Sequence, residues 1–158
     1  MSESKDNDSD EVATKKSVPV RQFSVFLPNR AGALLSVVRM VNDSMAEVLG
    51  ISVLDSVDGT VVRIVVSDPE SVETLFIEKG IPHSMLELAA VELPDNSHLS
   101  KCLATLLEAE TNVHFCYPLL CRPNDRPVLA FCLEDTEFGT SVLLNSGFKV
   151  LYEADLSR

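Results

Sequence analysis

Positive charge is scarce in this sequence. Thirteen Lys and Arg stand against 24 Asp and Glu, a formal net charge of −11. Such a surface repels phosphate backbones and anionic lipid, so neither nucleic acid nor a membrane is an expected partner. No apolar run approaches the roughly 20 residues of a membrane span, and the N-terminus carries no hydrophobic signal core. The expected location is the cytoplasm, where thiols stay reduced. Cysteine is also sparse: Cys102, Cys116, Cys121 and Cys132 all lie in the second half, and no pair has CxxC spacing. The four are therefore expected to be free and mostly buried, as small hydrophobes. His83, His98 and His114 belong to different segments, with no spacing of a structural zinc site, so no metal and no cofactor is expected. Catalytic signatures are missing too. His114 and Cys116, at i and i+2 of a strand-like run, make a thiol–imidazole pair with no obvious third group. Catalysis is not expected.

What is present is a core and a repeat. At 46% hydrophobic, 158 residues suffice for one domain or two small ones. Residues 1–16, polar and mixed in charge, read as a mobile tail. From Arg21 to Leu27, Phe23, Val25 and Leu27 alternate with Gln22 and Ser24, as in a half-buried strand. After "PNRAG" the period becomes helical, with Leu34, Val37, Val38, Val41, Met45 and Val48 on one stripe, predicting a helix over 31–49. Two β-branched runs around Asp58-Gly59 predict a hairpin. Asp68 as cap and Pro69 in first position open a helix over 69–79 that stops at Gly80, and an extended run from Pro82 to Leu88 follows. The order is β-α-β-β-α-β.

From Leu88 onward the chain repeats itself. "LAAVELPD" is a strand, and "SHLSKCLATLLEAE" places Leu99, Cys102, Leu103 and Leu106 on a helical stripe over 97–110. "VHFCYPLLC" and "RPVLAFCLE" flank the turn "RPND"; a helix over 136–146 ends at Gly147, and "FKVLYEADL" reads as the closing strand. Asp68 to Gly80 lies over Asp135 to Gly147 at a constant offset of 67, and the first helices align at 65. The expected fold is α+β: two tandem ferredoxin-like βαββαβ units, residues 17–88 and 89–158, each an antiparallel sheet with its helices on one face. One unit's last strand runs into the next unit's first near Leu88 to Ala90. The strands lack the aromatic platform of an RNA-binding relative of this fold.

The loop "LPNRAGALLSVV" resembles the first strand–helix junction of the ACT domain, written D/N-x-P-G-x-L, with Ala31 where Pro is usual. "ETNVHFCYPLL" is similar to the ACT segment that follows the first helix, and the two units together resemble free-standing proteins built of two ACT units. The resemblance implies an allosteric regulatory module that binds an amino acid and acts on an amino-acid-metabolism enzyme in trans. It also suggests a homodimer. An alternative is a ligand-free interaction module or regulatory subunit, of the acetolactate synthase small-subunit type. The physics of the loop is compatible with a ligand, because the first N–H groups of a helix lack internal partners and carry positive potential. The candidate site is Asn29, Arg30, Ala31, Gly32, Ala33 and Leu34. Gly32 would let a carboxylate approach, Asn29 and Arg30 would contact the zwitterion, and Ala31, Ala33 and Leu34 would form the apolar edge. Each has a plainer reading: turn geometry for Gly32, an N-cap for Asn29, a solvated cation for Arg30. In the second loop, "LPDNSHLSKCL", His98 sits where Gly32 maps and would obstruct such an approach.

Overall fold

The computed structural model describes residues 17–156, so the expected tail over 1–16 lies outside it. Its main elements run β1 (Val20–Leu27), α1 (Ala33–Asp43), β2 (Val48–Ser56), β3 (Gly59–Val66), α2 (Pro69–Glu78) and β4 (His83–Glu92), then α3 (Leu99–Glu108), β5 (Val113–Pro118), β6 (Val128–Leu133), α4 (Thr136–Asn145), β7 (Lys149–Leu151) and α5 (Glu153–Leu156). A single 3₁₀ turn, Asn96–His98, leads into α3. The sheet is antiparallel, in the order β2-β3-β1-β4-β6-β5, with β7 pairing β4. Strand β4 belongs to both halves of it. Its residues His83 to Leu88 pair with β1, and Ala89 to Glu92 pair with β6. Two ferredoxin-like sheets are thus fused through one strand.

Period-2 alternation sorts the strand residues into separate cores. Phe23, Val25 and Leu27 of β1, Val62 and Ile64 of β3, and Val37 and Val41 of α1 enclose the first core with Val72 and Phe76 of α2. Phe23 and Phe76 meet edge to face, with ring centroids 5.4 Å apart. Ala89, Val91, Phe131 and Leu133 form the equivalent core beneath α3 and α4, with Cys102, Leu106 and Leu143. A third core joins the halves. The sheet curls until its helix-free faces meet, burying Val20, Leu49, Val65, Leu88, Ala90, Tyr117, Leu119 and Ala130. At the closure Gly50 bridges to Leu119, and Leu49 O accepts from the amides of Leu120 and Cys121. A Cβ on Gly50 would stand 2.4 Å from Leu119 Cδ2, so the closure needs glycine or a shifted Leu119. Arg63 lies over the Phe115 ring at 3.7 Å and adds a cation–π contact to the same seam.

Tyr117 Oη donates to Gln22 Oε1 at 2.7 Å in the middle of this seam. Burial pushes the phenol well above its ordinary value. Tyr117→Phe is therefore expected to cost about 1–3 kcal/mol, because the buried Gln22 carbonyl loses its partner. Replacing both by apolar groups, Tyr117→Phe with Gln22→Leu, should recover much of that loss in a denaturant titration. Additive single losses would show that the pair does not act as a unit.

The helices start and stop for legible reasons. Asp68 accepts from Ser71 N, and Asp135 from Phe138 N, capping α2 and α4. Both end in the same pattern: Gly80 and Gly147 sit at positive φ, with Ile81 N bonded to Phe76 O and Phe148 N to Leu143 O. The first helix of each half also ends at a positive φ, but on a residue with a side chain, Met45 (φ 70) or Glu110 (φ 53).

Several expectations need correction. Helix α1 stops at Asp43, not near residue 49; Met45 is 92% exposed, while Val48 opens β2 and packs half-buried against the first core from there. Leu34, Leu99 and Leu103 face solvent in part, while the buried stripes are Val37/Val41 and Cys102/Leu106. The hairpin turns on Val57-Asp58, with Ser56 opposite Gly59, because a Gly59 Cβ would stand 2.9 Å from Leu27 O and the residue serves that close approach. The closing strand is only Lys149–Leu151; Asp155 then accepts from Tyr152 N and a short helix begins.

The cysteines are also less buried than expected. All four are free, but Cys102 alone is buried, Cys121 and Cys132 are half-buried, and Cys116 is exposed. Burial raises the Cys102 thiol to about 11 and raises the other three as well. Such thiols are poor nucleophiles. Native thiol titration is expected to modify Cys116 first, no faster than a free thiol, and Cys102 only after denaturation. Unusually rapid native reaction of Cys116 would contradict this.

Candidate functional site

The β1–α1 loop is built from the end of an alternating strand and the start of an amphipathic helix. Pro28 to Gly32 are exposed. Arg30 N donates to Pro28 O at 2.9 Å, turning the chain, and Gly32 follows at φ 84 as the N-cap of α1. That left-handed conformation is one that side chains with a Cβ adopt rarely. Gly32 has no side chain to cap the helix, and Ser36 N is the first amide to reach back, to Gly32 O at 3.0 Å. Ala33 N is taken by Arg30 O at 3.4 Å. The amides of Leu34 and Leu35 have no acceptor among the described residues. They are the orphan donors expected of a helix start. A Cβ on Gly32 would meet nothing within 4 Å, so the space beside this turn is open.

The other residues named from the sequence lie around that turn. Asn29 is not the N-cap. Its Oδ1 accepts from Thr60 Oγ1 at 3.4 Å, tying the loop to the start of β3. Arg30 forms no ion pair among the described residues and is exposed. Ala31 is exposed, Ala33 is half-buried, and Leu34 and Leu35 put exposed apolar surface next to the free amides. Two contributors escaped the sequence reading. Leu35 matters through its amide, which no side-chain pattern reveals, and Thr60 matters through a contact between segments 31 residues apart.

The second half treats the same position differently. His98 is the residue before α3, in right-handed conformation. Ahead of it, Asp95 accepts from Ser97 N at 2.8 Å and from His98 Nδ1 at 2.9 Å. The Ser97 hydroxyl and amide, together with His98, hold the Asp95 carboxyl at about 2. The chain's own carboxylate thus caps the 3₁₀ turn that leads into α3, a side-chain cap with no counterpart before α1. Asp two residues before Ser, ahead of a helical run, is a readable cap signal.

His114 and Cys116 are both exposed on β5, and no hydrogen bond joins them among the described residues. Among the described residues no group of three or more His, Cys, Asp or Glu could hold a metal ion. No helix there is long and apolar enough to cross a membrane.

Comparison with known proteins identifies the architecture. The pattern that defines the ACT domain pair matches residues 18–158. No curated protein sequence matches the chain. Among solved structures, protein BT0572 from Bacteroides thetaiotaomicron superposes with a TM-score of 0.81, covering 89% of this chain and 97% of its own, at 18% identity. Aspartokinase alpha and beta subunits give 0.54 over 80% of this chain and 90% of theirs, at 19% identity. The regulatory subunit of aspartate kinase from Thermus thermophilus, in a ligand-free form, gives 0.54 over 83% and 94%, at 13% identity. At such identities the likeness is one of fold. The match over residues 18–158, and the two βαββαβ halves that it spans, place this chain in the ACT domain pair family of regulatory proteins.

Proposed function

We propose that the chain is a non-catalytic, cytoplasmic regulator that senses a free amino acid at the β1–α1 loop and acts in trans on an enzyme of amino-acid metabolism. The observation that carries this reading is the pair of free amides at Leu34 and Leu35, beside the open space at Gly32. A carboxylate placed there meets two unpaired donors and the positive end of α1. Arg30 adds an exposed cation, Asn29 a polar contact, and Ala31, Ala33 and Leu34 an apolar edge for the side chain. A contrast within the molecule is compatible with it, since Asp95 caps the turn before α3 while no side chain caps the start of α1. Family membership supports a regulatory role, and the similarity in fold to a subunit named as the regulatory part of aspartate kinase is compatible with action in trans. A melting-temperature screen of free amino acids is the direct test.

The rival reading is a ligand-free interaction module, favoured by one observation. The first helix of each half exposes apolar side chains, Leu34 and Leu35 on α1 and Leu99, Leu103 and Leu107 on α3. Either reading is served by a homodimer. Light scattering at micromolar concentration is expected to give twice the chain mass, and a monomer mass would refute the assembly. Loss of the dimer on Leu107→Lys, with the amino-acid response unchanged, would separate assembly from sensing.

A further inference from the structure

Glu92, the last residue of β4, is a buried carboxylate left partly unsatisfied among the described residues. Its side chain is 2% exposed. One carboxylate oxygen, Oε2, accepts from Asn124 Nδ2 at 3.0 Å and lies 3.4 Å from Lys149 Nζ. The other, Oε1, is buried without a hydrogen-bond partner among the described residues. Buried carboxylates ordinarily have both oxygens satisfied, because an unpaired acceptor forfeits its hydration.

Glu92 lines a cavity of about 260 Å³. The rest of the wall concentrates the positive charge that the sequence otherwise lacks: Lys101 from the first turn of α3, Arg126 from the β5–β6 loop, and Lys149 from β7, with His98 beside them. His98 Nδ1 donates to Asp95, which leaves its Nε2 as the ring nitrogen free for another partner. Three cations around one carboxylate leave the cavity electropositive in a chain of net charge −11. A small anion therefore belongs there. A bare anion would repel Glu92. An anion that carries its own protonated oxygen would instead donate to the Glu92 carboxylate while the cations hold its charge.

We propose that this cavity is a second ligand site, selective for a small oxyanion bearing a hydroxyl group, such as hydrogen phosphate or a 2-hydroxycarboxylate. Lys101, Arg126 and Lys149 bind the charge and Glu92 reads the hydroxyl. The site is separate from the β1–α1 loop and does not rest on the reading proposed for it.

Isothermal titration of the full chain with two matched pairs tests the idea: phosphate against sulfate, and glycolate against acetate. Within each pair the charged group is similar and the hydroxyl is the difference. The hydroxyl-bearing member of at least one pair is expected to bind about tenfold more tightly or better, and the pair that discriminates identifies the source of the ligand. Glu92→Gln should abolish that preference. Because Glu92 is buried and its variant can misfold, Lys101→Ala and Arg126→Ala, both at exposed positions, provide the second arm and should weaken binding about tenfold. Gly32→Asn should leave the preference within each pair unchanged. Equal affinity within both pairs, no saturable binding at millimolar concentration, an unaltered preference in a folded Glu92→Gln, or full affinity in the Lys101 and Arg126 variants would overturn the proposal. None of those results would bear on amino-acid binding at Gly32.

Discussion

A free amino acid that fits the β1–α1 loop is expected to raise the melting temperature by roughly 5–10 °C when present at about a hundredfold excess over its dissociation constant. Mass action stabilises the folded state by about 2.7 kcal/mol at that excess, and in a chain of this size each kcal/mol moves the midpoint by roughly 2–4 °C. Gly32→Val should abolish the shift. It also forces a branched residue into a left-handed conformation, so the variant will be less stable without any ligand. Gly32→Asn is the cleaner probe. Asn tolerates that backbone, yet its side chain enters the open space beside the amides of Leu34 and Leu35. Loss of the ligand-dependent shift in a stable Gly32→Asn protein would place the ligand at this loop. His98→Ala should leave the shift intact, since His98 stands before α3 in the other half and not at the β1–α1 loop. If no amino acid shifts the wild type, the open amides serve only the turn, and the interaction-module reading takes over.

Phe23→Ala is expected to destabilise the protein by about 3–5 kcal/mol, a fall of roughly 6–20 °C in melting temperature. Phe23 is fully buried at the centre of the first core. Its ring meets Phe76 at 5.4 Å and His83 at 5.8 Å, and its strand is hydrogen-bonded on both sides, to β3 and to β4. A cavity there is hemmed in by two strands and a helix, which leaves little room for collapse. Met45→Ala is the matched control. The sequence places Met45 on the same apolar stripe as Val41, yet its side chain is in solvent, and the expected change is within about 0.5 kcal/mol. A large loss at Met45, by denaturant unfolding of the monomer or dimer alike, would mean that its side chain is covered in the assembly.

The order of elements, the twofold repeat and most of the buried strand residues were legible in the sequence because local rules produce them. Alternation at Phe23, Val25 and Leu27 needs only a half-buried sheet. The caps Asp68 and Asp135 and the stops Gly80 and Gly147 are short-range devices, each satisfied within a few residues. Where the local signal was absent the reading failed. Helix α1 stops at Asp43 and the positive-φ turn beyond it falls on Met45 rather than on glycine, so nothing in its periodicity marked the stop. Only tertiary structure decided how the halves join. The third core buries Val20, Tyr117 and Leu119 because the sheet curls to close Gly50 onto Leu119, a contact between segments about 70 residues apart that no local pattern encodes. The same holds for the sites. Gly32 and its loop stood out in the sequence, but the free amides of Leu34 and Leu35 are a property of the backbone around them. Glu92 looked like one more acidic residue in an acidic chain. Its significance comes from β4, β7, α3 and the β5–β6 loop converging on it, which buries its charge and sets the cations of a distant stretch of sequence beside it.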